Sequence, residues 1–199
     1  LIINDDLNGS DFTTFFQKYY TEFDGDKDIN NLLEKIKTRL HPMDVIRTIV
    51  SYIGESEKKS DLEATTQISA AVAYVIASYN ESKSSKLDNN YTVASSMLSD
   101  DASTDQLQAL DDILILYAEH GFNASTFATR VTGSTRSDLT SSIVSGIGTL
   151  KGELHGGANE RAVELINSFQ DVEDATVGVM KMLDEKKKIM GFGHGVYKI

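Results

Sequence analysis

The residues of this sequence best suited to chemistry are histidines set among glycines. Residues 152–160 read Gly-Glu-Leu-His-Gly-Gly-Ala-Asn-Glu, so Gly152, Gly156 and Gly157 surround His155. A helical apolar pattern follows at once, through Ala158, Val163, Leu165, Ile166 and Phe169. Paired glycines permit backbone conformations and close approaches that a side chain would block. A His ahead of a helix N-terminus meets the positive end of the helix dipole, which disfavours protonation. A neutral imidazole held there can donate a hydrogen bond to an oxygen that gains charge, such as that of an enolate. A plain glycine turn with an incidental His explains the same residues equally well at this point.

Two further histidines share the setting. His194 lies between glycines in the run Ile-Met-Gly-Phe-Gly-His-Gly-Val-Tyr-Lys at 189–198, which has no helical period. Its Gly-Phe-Gly lacks the following helix and third glycine of a dinucleotide fingerprint. Such a loop can instead offer main-chain N–H and C=O groups to a ligand. His120, in Ala-Glu-His-Gly-Phe-Asn-Ala-Ser-Thr at 118–126, falls at a helix end ahead of a second helix. Three histidines at helix breaks, each beside Gly, read as a set converging on one polar cleft. No two of them stand at the i, i+3 or i, i+4 spacing that would put both on one helix face, so no metal is expected. His41, just ahead of Pro42, reads as structural.

The elements that must position these groups are helical nearly throughout, and the fold class expected is mainly α. Pro42, the one Pro, opens a helix carrying Val45, Ile46, Ile49, Val50 and Ile53. Leu62, Ile68, Val72, Val75, Ile76 and Tyr79 mark a second helix over 62–79. Residues 80–90, rich in Ser, Lys and Asn, predict an exposed connection. A third helix over 105–119 sets Leu107, Leu110, Ile113, Leu114 and Tyr117 on one side. Asn123 is expected to cap a short helix reaching Arg130, and Ser137 another bearing Leu139, Ile143, Ile147 and Leu150. That last helix also holds Ser141, Ser142, Ser145, Gly146 and Gly148, which predicts close packing in the core or at a subunit contact. Two more helices are expected over 158–169 and 172–186.

Composition narrows the function classes. The 199 residues are 40% hydrophobic, enough for a sizeable core. There is no Cys, which excludes disulfides, thiolate metal sites and a cysteine nucleophile. Lys and Arg total 19 against 30 Asp and Glu, a net charge of -11. Nucleic acid is disfavoured as a partner, since phosphate backbones need a clustered basic face. The apolar runs are too short to cross a bilayer as helices, so no membrane role is expected. An anionic substrate would need a local pocket that overcomes the acidic field.

Four segments, taken in order, resemble the citrate synthase family: His-Pro-Met-Asp-Val-Ile-Arg-Thr at 41–48, residues 116–131, residues 147–160 and residues 189–198. The similarity extends with gaps over nearly the whole chain. It implies a multi-helical fold, with residues 1–155 in a large helical domain and 156–199 opening a small one. The family's N-terminal segment and much of its C-terminal part would lie outside these residues. The reaction implied is the tricarboxylic acid cycle step that condenses acetyl-CoA with oxaloacetate to give citrate and CoA. It needs no cofactor, the coenzyme A thioester being a substrate. By the resemblance, His155 donates to the enol of acetyl-CoA and His194 polarises the oxaloacetate ketone, both as catalytic groups. His120 would bind oxaloacetate, with Asn123 beside it, and Ser125 would orient the His155 ring. Met190, Gly191, Phe192 and Gly193 would lie along the adenine of CoA.

The sequence departs from the family at three points. Glu153 stands where the family carries Pro, and a carboxylate near the His155 ring would favour imidazolium. Gly195 replaces larger residues. No Asp of the chain matches the family's catalytic base, so the chain is expected to be inactive alone. Two alternatives stay open: 2-methylcitrate synthase, which uses propionyl-CoA, and a catalytically dead homologue serving as a binding or dimerisation module. Leu154 leans towards citrate. The family also implies a homodimer, with the helix over 137–150 as the expected subunit contact. It further implies a cytoplasmic location, or the mitochondrial matrix in a eukaryote.

Overall fold

The computed structural model describes residues 9–54, 59–80, 92–118 and 121–193, in two compact units, residues 1–148 and 149–199. The described residues are helices and connections, without a strand. This is the mainly α class expected.

Unit 1 is built around a central helix. In chain order come α1 (Gly9–Gly25), α2 (Lys27–Ile36), α3 (Pro42–Ile53), α4 (Asp61–Ala77), α5 (Val93–Met97), α6 (Thr104–Tyr117), α7 (Ala124–Ser134) and α8 (Leu139–Leu150). Helix α4 buries Ala70, Ala71, Ala73 and Ala77 beside Ile68, Tyr74 and Val75. Alanines keep its surface narrow, so α1 and α3 approach it closely. From α1 come Phe16, Tyr19, Tyr20 and Phe23, and from α3 Val45, Ile46, Ile49 and Val50. Tyr20 meets the Tyr74 ring edge-on, with centroids 5.3 Å apart. Fully burying each such Val or Ile stabilises by about 1.5–3 kcal/mol.

Helix starts follow local chemistry. Pro42 opens α3 as expected, and His41 is structural: its Nδ1 accepts from the Met43 N–H over 3.1 Å. Thr92 and Ser103 form reciprocal capping boxes at α5 and α6. Helix α4 stops at Ala77, not 79, and Tyr79 beyond it is exposed. The spacing pattern credited the branched residues of α4 and passed over its alanines, which carry the tightest packing. In α6, Leu107, Leu110 and Leu114 are half-buried, whereas Ile113 and Tyr117 face outwards. The connection expected over 80–90 lies, except for Asn80, outside the described residues.

Helices α7 and α8 pack through small residues. A side chain at Gly146 would run into Thr129 Oγ1, and one at Gly133 would meet Ser142 Oγ at 3.5 Å. Leu139, Ile143, Val144 and Ile147 of α8 join the core of unit 1. The residue that caps α8 is Asp138 rather than Ser137. Its Oδ1 accepts from the Ser141 N–H over 2.7 Å and its Oδ2 from the Ser141 hydroxyl over 2.6 Å. Those two bonds, the hydroxyl first, hold the Asp138 carboxyl below its ordinary range.

Unit 2 contains α9 (Gly157–Asn167) and α10 (Val172–Asp184). The Phe169 ring lies over Gly178, where a side chain would collide with it. No described residue of this unit is fully buried.

Candidate functional site

His155 sits, half-buried, one residue before Gly156, the N-cap of α9. The glycines around it have specific tasks. The Gly156 N–H donates to the Leu150 carbonyl over 2.8 Å, and a Cβ on Gly156 would strike that same oxygen. The His155 N–H donates to the Gly152 carbonyl over 2.9 Å, and the Gly157 N–H to the same oxygen over 3.2 Å. Residues 150–152, which open unit 2, are thereby folded tightly onto the start of α9, with His155 at the bend. Its position ahead of a helix N-terminus is the one its local sequence predicted.

The loop over 190–193 packs on the same helix. A Cβ on Gly191 would lie 3.3 Å from that of Ala162, in the second turn of α9. Gly191 and Gly193 take φ of 89° and 80°, the left-handed region in which other residues are strained. Between them Phe192 is 80% exposed, its N–H donating to the Ile189 carbonyl over 3.3 Å. Met190 is half-buried. The glycines leave main chain and one aromatic face open to a flat ligand.

In unit 1, Asn123 caps α7: its Oδ1 accepts from the Thr126 N–H over 2.9 Å and from the Ser125 hydroxyl over 2.7 Å. Asn123 and Ser125 are thus one hydrogen-bonded pair, both half-buried. His120 and His194 lie outside the described residues. So does Gly195.

Arg161 is the residue that sequence reasoning passed over. Its Nη1 lies 2.6 Å from Glu153 Oε1. The carboxylate two residues before His155 therefore already has a cationic partner. Residues eight positions apart follow no helical spacing rule, and only the glycine turn between them lets the two charges meet.

Among the described residues no cluster of His, Asp or Glu could hold a metal ion, and no helix is long and apolar enough to cross a membrane.

Residues 1–199 match the family model for the citrate synthase C-terminal domain. The chain belongs to the citrate synthase family. It is 39% identical over 193 residues to 2-methylcitrate synthase 1 of Corynebacterium glutamicum, covering 87% of this chain and 51% of that protein. To the citrate synthase of Mycolicibacterium smegmatis it is 34% identical over 188 residues, covering 87% and 50%. Among solved structures it resembles the ternary complex of carboxymethyl coenzyme A and oxaloacetate with the citrate synthase of Thermoplasma acidophilum. That match has a TM-score of 0.76 and 25% identity, over 96% of this chain and 53% of the other. The chain spans about half the length of the curated relatives it matches.

Proposed function

We propose that this chain carries part of the active site of an enzyme that condenses an acyl-CoA with oxaloacetate. The observation that supports this most is the placing of His155 on a glycine turn directly before α9, with the exposed Phe192 loop packed on the same helix. A neutral imidazole donates a hydrogen bond to the enol oxygen formed when the acyl α-carbon loses a proton. The α-carbon then bonds to the oxaloacetate ketone carbon, whose oxygen takes up charge and is polarised by His194. Water releases CoA from the resulting thioester. Donors held in place before reaction and aimed at developing charge lower the barrier most. His120 and Asn123 bind oxaloacetate, and residues 190–193 receive the adenine of CoA. The methyl-proton base corresponds to no Asp of these residues, so the 199 residues alone give no turnover. Residues 1–155 belong in this reading to the large domain and 156–199 to the small one.

The acyl group is acetyl or propionyl. Relatives named 2-methylcitrate synthase reach 39% identity and those named citrate synthase 34–35%, which supports the propionyl alternative as much as Leu154 supports acetyl. One methylene changes preference by only about 1–3 kcal/mol. Competing acetyl-CoA against propionyl-CoA decides it. Of the points that favour the dead-homologue reading, Glu153 weighs less, since its carboxylate is paired with Arg161; Gly195 and the unmatched Asp still feed it.

The subunit is a homodimer in this reading. The outward apolar side chains Ile115, Leu116 and Tyr117 of α6 and Phe127 and Val131 of α7, with Phe122 between the two helices, supply contact surface beside that of the helix over 137–150. Sedimentation that shows a folded monomer at micromolar concentration counts against it. For the chemistry, His155→Ala in a competent chain carrying these residues should lower CoA release at least a hundredfold, the scale of losing a positioned donor. Unchanged turnover would remove the assignment.

A further inference from the structure

The turn that bears His155 cannot be capped in the usual way. Contact with the Leu150 carbonyl requires glycine at the N-cap of α9, and glycine has no side-chain oxygen to offer. No side chain caps this helix. Across the turn run main-chain hydrogen bonds and the Glu153–Arg161 ion pair. Glu153 precedes His155 by two residues, Arg161 lies one turn into α9, and their charged atoms are 2.6 Å apart. The pair therefore joins the two flanks of the segment that carries the imidazole.

We propose that Glu153 and Arg161 are positioning residues for His155, their ion pair closing the 152–157 turn onto α9 and so fixing where the ring points. This rests on the reading of His155 as the enol donor. Glu153 is not an intruding charge beside that donor; it is one half of a clamp. Both side chains are partly exposed, at 63% and 49%, and pairs of this kind are screened by water. The effect is correspondingly bounded, at about two- to fivefold.

A double-mutant cycle in a competent chain carrying these residues tests this, with Glu153→Gln, Arg161→Gln, the double variant, and Arg161→Lys as the conservative replacement. Hydrogen exchange at the Gly156 and Gly157 amides and the His155 Cε1–H resonance are read by NMR. Turnover is split into kcat and KM for oxaloacetate. Each Gln variant should speed exchange at both amides by about two- to fivefold and shift the His155 resonance. It should lower kcat by a similar factor and leave KM within about twofold. The double variant should be no worse than either single, and Arg161→Lys should behave as the native chain. Native exchange rates with an unmoved His155 resonance in the single variants overturn the proposal, as do effects that simply add. If instead His155→Ala keeps full turnover, the enol-donor reading fails, and the NMR readouts still judge the clamp.

Discussion

The phenol of Tyr19, buried where α1 meets α4, donates to Glu63 Oε1 over 2.7 Å. Lys18 Nζ lies 3.4 Å from the same oxygen. The Tyr19 hydrogen bond, reinforced by Lys18, holds the Glu63 carboxyl below its ordinary value of 4.5. A lowered carboxyl stabilises the fold above its unfolded-state pKa, and that contribution fades as pH falls through the lower folded value. Tyr19→Phe should therefore cost about 1 kcal/mol at neutral pH. It should also flatten the loss of stability below about pH 4.5. Urea denaturation across that range measures both; an acid limb identical to the native one would contradict the assignment.

Tyr74 governs the opposite end of the pH scale. Its hydroxyl lies 2.6 Å from Asn30 Oδ1, and the Asn30 amide group donates to the carbonyls of Phe23, Asp24 and Asp26. The α1–α2 corner is thereby tied to α4. Burial, then the Asp24 charge, pushes the Tyr74 phenol up to about 12. A raised acid stabilises the fold fully below its unfolded pKa near 10 and loses that contribution as pH climbs through 12. Among the 8 tyrosines, Tyr74 should titrate late in the ultraviolet spectrum, and Tyr74→Phe should reduce the alkaline loss of stability. Asn30→Ala should cost about 2 kcal/mol by removing the side-chain bonds that tie Tyr74 to the α1–α2 corner.

Gly146 tests the α7–α8 contact. Alanine is ordinarily better than glycine in a helix by about 1 kcal/mol. Here the added methyl meets Thr129 Oγ1, which is itself bonded to the Ser125 carbonyl over 2.9 Å. Overpacking of this kind costs about 1–3 kcal/mol, so Gly146→Ala should come out destabilising. Combining it with Thr129→Ala should recover the loss. A more stable single variant in thermal melting would show that the helices have room to part.

Gly156→Ala probes the bend beneath His155. Its methyl would strike the main-chain oxygen of Leu150, which has no rotamer to move into. Turnover of a competent chain should fall by more than tenfold, as a displacement of about 1 Å suffices for such a loss. The melting temperature of the larger unit should hold, because its core packs without this turn. Equal losses in both readouts would mean that the turn supports the whole chain instead.

Local chemistry made much of this legible in advance. Pro42 at a helix start, Asn123 as a cap and His155 before α9 are decided by residues within a few positions of one another, where hydrogen-bond reach and backbone freedom suffice. Asp138 displaced Ser137 as the cap of α8, since both neighbours can accept and only the path of the chain picks one. The sequence by itself determined the helical class, the family and the glycine turn that bears His155. Tertiary structure alone decided that alanines make α4 the hub of unit 1, that Thr129 sits against Gly146, and that Arg161 meets Glu153. Those three depend on contacts between residues with no shared period, and a sequence pattern holds only what repeats along one element.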